Sequence, residues 1–279
     1  MRGRTNVLLL LLAALSLCCV QAAAASRKKP DKRKRKAEAE VMIDESLPVP
    51  DPVVFPLEPQ APLTPDLLEL PAEVRHHMVN QTIQGIDVSH YQGSIDWRTV
   101  ARSGEISYVY VKATEGSQLV DNTYRANIQG ARKAGLKVGC YHFYRPNVSP
   151  QLQFQNMVSV VSLKHQDLIP IIDIEVRGRE PLPNFQSKLR NFLKMVEKHY
   201  GVKPILYTSR DFYNKHLSGP FTHYKYMIAR YAEEVPELRD DAAFVMWQYS
   251  ASGRLPGIKG NVDRSCFIDN YSLKDILLH

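Results

Sequence analysis

Cysteine, long apolar runs and charge imbalance beyond the first 40 residues are what this 279-residue chain lacks. Of its four cysteines, Cys18 and Cys19 fall in an N-terminal apolar run, so no disulfide framework is available to the rest. Cys140 sits inside an apolar, strand-like stretch and reads as a buried free thiol, with pairing to Cys266 as the alternative. The apolar run at residues 7–20 is too short for a comfortable membrane span. The net charge of +7 suggests a polyanion-binding surface, but its distribution removes that reading. Ten of the 36 Lys/Arg and three of the 29 Asp/Glu lie within residues 1–40, which leaves 26 of each sign in the remainder. Nucleic acid is therefore not expected as a partner.

What is present divides the chain into three. Residues 1–25 carry Arg2 and Arg4, the apolar run and a small-residue tract, the pattern of a secretory signal. Export to the periplasm, the outer envelope or the extracellular space follows as an expectation. The basic cluster that begins at Arg27 and ends at Lys36 favours cytoplasmic retention, so an uncleaved membrane anchor is the second reading. Residues 26–80 are basic and then proline-rich, without a periodic apolar face, and read as a linker. The cluster from Arg27 to Lys36 could rest on an anionic envelope surface, or be simply solvated.

From residue 81 to 279 apolar segments alternate with amphipathic ones. Strands are predicted at 83–89, 108–113, 137–143, 168–175, 204–208, 226–229, 244–249 and 261–267. Helices are predicted at 97–103, 122–134, 150–165 and 184–200; the last has Phe185, Leu189, Phe192, Leu193 and Val196 at helical spacing and stops before Gly201. Strand–helix repetition predicts an α/β fold with parallel strands, and eight strands suggest a TIM-like barrel. Helical segments shrink after Thr208, so an irregular, partly antiparallel ending is expected.

The most informative stretch is Ile169-Pro170-Ile171-Ile172-Asp173-Ile174-Glu175. Alternation along a strand puts Asp173 and Glu175 on one face, about 6.5–7 Å apart along the backbone. Two acids closing a buried strand are costly unless they have work to do. Asp87, Glu115, Asp263 and several aromatics also fall at strand ends, where barrels carry their active sites. Aromatic faces with carboxylates between them suit a sugar chain. Alone, each has a plainer explanation: Asp87 as a turn cap, His142 and Trp247 as core.

The segments Gly85-Ile86-Asp87-Val88-Ser89-His90-Tyr91-Gln92-Gly93, Val111-Lys112-Ala113-Thr114-Glu115-Gly116, Gly139-Cys140-Tyr141-His142-Phe143, Asp173-Ile174-Glu175, Trp247-Gln248-Tyr249-Ser250 and Pro256-Gly257-Ile258-Lys259-Gly260-Asn261-Val262-Asp263 resemble the Chalaropsis-type lysozymes, glycoside hydrolase family 25. The resemblance implies an irregular TIM-like barrel of five β/α units followed by three further strands. It implies a muramidase cleaving the β-1,4 bond between N-acetylmuramic acid and N-acetylglucosamine in peptidoglycan, without metal or organic cofactor; a monomer is expected. Glu175 would be the general acid, with Asp173, Asp87 and Asp263 completing an acidic cluster. Tyr141, His142, Tyr207, Trp247 and Gln248 are the candidate substrate contacts. Where the family commonly has Asn two residues after the last acid, this chain has Ser265, which leaves a supporting hydrogen bond in question.

For the chemistry, repulsion from Asp173 and partial burial would keep Glu175 protonated, with Asp173 the more solvated and ionised group. The second step could use Asp173 as nucleophile, or as the group orienting the substrate's acetamido; net retention is expected. Substrate-assisted chitinases also place Asp-x-Glu at a strand end, but their pattern needs acids where this chain has Leu168 and Ile171. A non-catalytic glycan-binding module, or a glycosidase for another N-acetylhexosamine polymer, remains the alternative.

Overall fold

In this computed structural model, residues 79–278 are described. The predicted signal and most of the linker lie outside them. Among the described residues nine strands form one sheet: β1 (Val79–Val88), β2 (Tyr108–Glu115), β3 (Leu119–Val120), β4 (Lys137–Phe143), β5 (Ile171–Asp173), β6 (Ile205–Ser209), β7 (Lys225–Ala229), β8 (Ala243–Gly253) and β9 (Val262–Ile268). Pairing of β1 with β2 closes eight of them into a barrel, with β3 appended to β2 as a two-residue hairpin partner. β3 apart, which is antiparallel to β2, neighbours from β1 through β8 run parallel, and β9 runs antiparallel between β8 and β1. The expected irregular TIM-like barrel is thus the observed one, and its ending is antiparallel as the shrinking helices foretold.

Helices α1 (Trp97–Arg102), α2 (Tyr124–Lys133), α3 (Pro150–Val158) and α4 (Leu182–Tyr200) cover the outside. Gly201 ends α4 at φ +71, a left-handed position that glycine adopts without Cβ strain. The predicted third helix stops at Val158 instead of residue 165. Beyond it Ser159 turns its hydroxyl to the Asn156 carbonyl at 2.8 Å, a local bond that competes with further helix. The chain then continues to a short 3-10 turn at Leu163–His165.

Strand parity sorts the apolar residues into two layers. Val109, Val111, Val138, Cys140, Ile172 and Ile174 face outward and pack with the helices. Tyr108, Tyr110, Ile171, Ile205, Met227 and Phe267 face inward and fill the barrel. Cys140 and Cys266 are both free and buried, so the alternative disulfide between them is not formed. Strand β5 is shorter than the predicted 168–175 because Pro170 has no N–H to give to a ladder. Its carbonyl still accepts from Ile205 at 3.0 Å, and beyond the strand Ile174 N–H donates to Tyr207 at 2.8 Å. The backbone therefore stays laddered to Ile174 and delivers Glu175 to the rim.

At the opposite end the C-terminal segment plugs the barrel. Ile169 N–H donates to the Ile276 carbonyl at 2.8 Å, Leu168 bridges Leu277, and Ile276 is fully buried in the inner cluster. Ile276→Ala should cost about 2–5 kcal/mol, read as a lower urea midpoint with an unchanged slope.

Candidate active site

Seven strands deliver the site. Asp87 is next to last in β1 and stands in register with Asp263, the second residue of antiparallel β9. Lys112 and Glu115 come from β2, Tyr141 from β4, Asp173 from β5, Tyr207 from β6 and Gln248 from β8. Asp87, Asp173, Glu175, Asp263, Lys112 and the two tyrosines line a cleft of about 250 Å³ at the C-terminal rim, floored by Ile171 and Met227. Tyr91 and Tyr231, both largely exposed, stand on its edges.

One hydrogen-bonded chain organises the acids. Gln248, nearly buried, donates from Nε2 to Asp87 Oδ2 at 2.8 Å. Its Oε1 accepts from the hydroxyls of Tyr207 at 2.8 Å and Tyr231 at 2.9 Å, which fixes the amide's orientation. The Tyr207 hydroxyl and the Glu175 carboxyl line the same cleft, where the phenol lowers the acid, and Asp87 faces Asp263 in register. Burial first, and then the Asp263 charge, pushes Asp87 well above the usual carboxylate range. Asp263 is raised by burial as well. Two facing carboxyls in this setting disfavour each other's ionised form, so both are raised.

Asp173 and Glu175 both reach the cleft, as parity required, but their environments are the reverse of the expected ones. Asp173 is buried, and its Oδ1 has no hydrogen-bond partner. Burial, then the charges of Glu175 and Asp87, push it well above its ordinary value. Glu175 lies one residue beyond the last ladder bond and keeps a solvent-exposed surface. The cleft walls still desolvate its carboxyl enough to raise it, opposed by Tyr207 and by Lys112 and Arg145. The expectation of a solvated Asp173 is corrected accordingly: the side chain one turn of the pleat deeper is the drier one.

Two candidate contacts fall on the wrong face. His142 is fully buried on the helix side, bonded to Thr114 at 2.7 Å and against the Phe192 ring; burial lowers it to about 4. Trp247 packs in the outer layer and donates from Nε1 to the Arg230 carbonyl at 2.9 Å. Each is the outward neighbour of an inward residue, Tyr141 or Gln248, so neither can share its neighbour's face. Ser265, in place of the family's Asn, bonds Tyr108 Oη at 3.0 Å and supports the barrel wall instead.

Lys112 was not among the predicted site residues. It is 7% exposed, lines the cleft and donates to Glu115 at 2.6 Å. Glu115 in turn accepts from Arg145 Nε at 2.8 Å, and Arg145 lies over the Phe143 ring at 4.4 Å. Burial alone would raise Glu115, but the bonds from Lys112 and Arg145 outweigh it and hold the carboxylate low. A register shift between Lys112 and Thr114 puts both Lys112 and Glu115 on the inner side, where regular alternation would have opposed them.

With this geometry in view, comparison with known proteins is decisive. The pattern of Glycosyl hydrolases family 25 matches residues 86–258, which contain Asp87, Asp173 and Glu175. The chain belongs to glycosyl hydrolase family 25. Among relatives of this family 25 domain, Escherichia coli YegX is 37% identical over 190 residues, 67% of this chain and 70% of that one. Lysozyme M1 of Streptomyces globisporus is 32% identical over 199 residues, 66% of this chain and 67% of that one. A family 25 glycosyl hydrolase from Bacillus anthracis superposes with a TM-score of 0.64 at 28% identity, covering 74% of this chain and 97% of that one.

The family 25 site has a cost that is measurable. A carboxyl whose folded value lies above its unfolded value near 3.9 holds its proton more tightly when folded. Its contribution to stability is therefore full at low pH and is lost as pH rises towards the raised folded value. Asparagine at 173 cannot ionise and removes that slope. Asp173→Asn should raise Tm at pH 7, by about 2–4 °C per kcal/mol recovered in a domain of this size, and change it little at pH 3. Calorimetric scans from pH 3 to 7 would check this.

Proposed function

We propose that this family 25 domain is an exported muramidase that hydrolyses the β-1,4 bond between N-acetylmuramic acid and N-acetylglucosamine in peptidoglycan. The observation that carries the reading is the pair of acids at the end of β5, one raised and open to the cleft, the other raised further and buried below it. Lysozyme M1 supplies the family precedent by its name. The export pattern of residues 1–25 supports a site of action outside the cytoplasm.

Glu175 donates its proton to the glycosidic oxygen as the bond to the leaving sugar breaks. Its raised value keeps the proton available, and its open edge faces the leaving group. Asp173 Oδ1, buried without a donor of its own, accepts the N–H of the 2-acetamido group. The acetamido oxygen is then aimed at the anomeric carbon and closes on it as the oxocarbenium character develops. The resulting ring intermediate opens by attack of water, with Glu175 now as base, and the configuration is retained. Asp87 and Asp263, in register on β1 and β9, place carboxyl oxygens in the cleft to stabilise the forming cation. Lys112 opposes both Asp173 and Glu175, which limits how tightly they hold their protons.

Glu175→Gln should fold normally and clear purified cell walls at least about 10²-fold more slowly, the usual contribution of a general acid. Near-normal clearing would sink the assignment, and wall binding without clearing by the unmodified protein would favour a glycan-binding module. NMR of the first product from defined muropeptides should show the β-anomer before mutarotation; an initial α-anomer would reject the acetamido route.

A further inference from the structure

A second cavity of about 470 Å³ adjoins the cleft and shares Glu175, Tyr207 and Tyr231 with it. The acids already described do not account for its far wall, which Arg210 and Arg230 build together with Ser209 and Asp211. The two arginines arrive side by side for a topological reason. Ser209 at the end of β6 is in register with Ala229 at the end of β7, and each arginine is the next residue in its chain.

Both are anchored by their backbones. Ser209 caps the short helix at Arg210–Phe212, its hydroxyl accepting from Phe212 N–H at 3.2 Å. Arg230 N–H donates to the Gln248 carbonyl at 3.1 Å, and its own carbonyl accepts from the Trp247 indole at 2.9 Å. Trp247, absent from the cleft, thus holds Arg230 at its rim. Both guanidinium-bearing residues are only half-buried. Arg210 contacts Asp211 at 2.8 Å, an exposed neighbour pair of the kind that contributes little and yields readily to a better-placed anion. With Glu175 protonated, the cavity has a net positive lining.

We infer that Arg210 and Arg230 bind a carboxylate carried on the 3-O-lactyl ether of the muramic sugar, so that the enzyme selects acidic glycan strands over neutral ones. This rests on the muramidase reading and deepens it. A neutral N-acetylhexosamine polymer offers nothing to two adjacent guanidiniums, whereas a muramic residue carries its anionic branch close to the bond that Glu175 protonates. Planar guanidinium forks match carboxylates in a way that single ammonium groups do not. The carboxylate can be the lactyl group's own, in strands stripped of peptide, or belong to an acidic residue of an attached peptide.

The test compares kcat/KM of the full chain on three strands: with peptides intact, stripped to the bare lactyl carboxylate, and with those carboxylates chemically amidated. The unmodified protein should prefer at least one acidic strand to the amidated one by about tenfold, the size of one charge-assisted pairing. Which acidic strand shows the preference identifies the source. Arg210→Gln/Arg230→Gln should bring the ratio close to one through KM, while Arg210→Lys/Arg230→Lys retains part of it; melting curves confirm folding of both. A ratio near one in the unmodified protein, or one that survives in the Gln pair, overturns the inference. Absence of turnover on every strand would instead count against the muramidase reading. Calorimetric binding of the disaccharide-peptide product, against its amidated form, then decides this inference by the same tenfold criterion.

Discussion

The rest of the site depends on one electrostatic constraint: four carboxyl groups share a rim with too little water to ionise together. Asp87, Asp173, Glu175 and Asp263 are all raised, and burial is the first cause in each. The compensating groups are few and well placed. Gln248 supplies a donor to Asp87, which faces Asp263 in register. Lys112 supplies the positive charge, and the Glu115–Arg145 pair holds that ammonium where it lowers both Asp173 and Glu175. Without these partners the cleft would either take up more protons or loosen to admit solvent.

The barrel makes such a collection possible because parity and register decide what meets. Asp87 and Asp263 are in register across an antiparallel pair, which only the reversed β9 provides. Lys112 and Glu115 face each other on the inner side only because β2 slips register between Lys112 and Thr114. Pro170 shortens β5 to three residues, yet the ladder resumes through Ile174 and sets Glu175 on the rim. Local irregularities thus aim the functional side chains, while the regular strands and the helical layer carry the stability.

Much of this was legible in the residues. Alternation in Ile171-Ile172-Asp173-Ile174-Glu175 put the two acids on one face, and helical spacing in residues 184–200 located α4. The same alternation, applied strictly, would have separated Tyr141 from His142 and Gln248 from Trp247, since neighbours on a strand face opposite ways. It would also have found Lys112, which follows Tyr108 and Tyr110 on the inner face. Other features were out of reach. The register slip in β2 has no marker in Lys112-Ala113-Thr114, and the short hairpin strand Leu119–Val120 gives too little pattern to read. Relative burial of Asp173 and Glu175 depends on how far each stands above the barrel floor, a property of closure and not of spacing.

That reversed burial order suits the proposed chemistry better than the order first expected. A general acid gives up its proton in one step and must regain it before the next cycle, so it needs a path to water. Glu175, exposed and set where the two cavities meet, has that path. In the proposed chemistry Asp173 would have a different task, to hold one substrate group in one orientation through both steps. A dry position with one unpartnered oxygen strengthens that single hydrogen bond. Had Asp173 been the solvated member, water would compete for the same oxygen and the acetamido would be free to turn. The side chain that must exchange protons is therefore on the surface of the cleft, and the one that must not yield its partner lies beneath it.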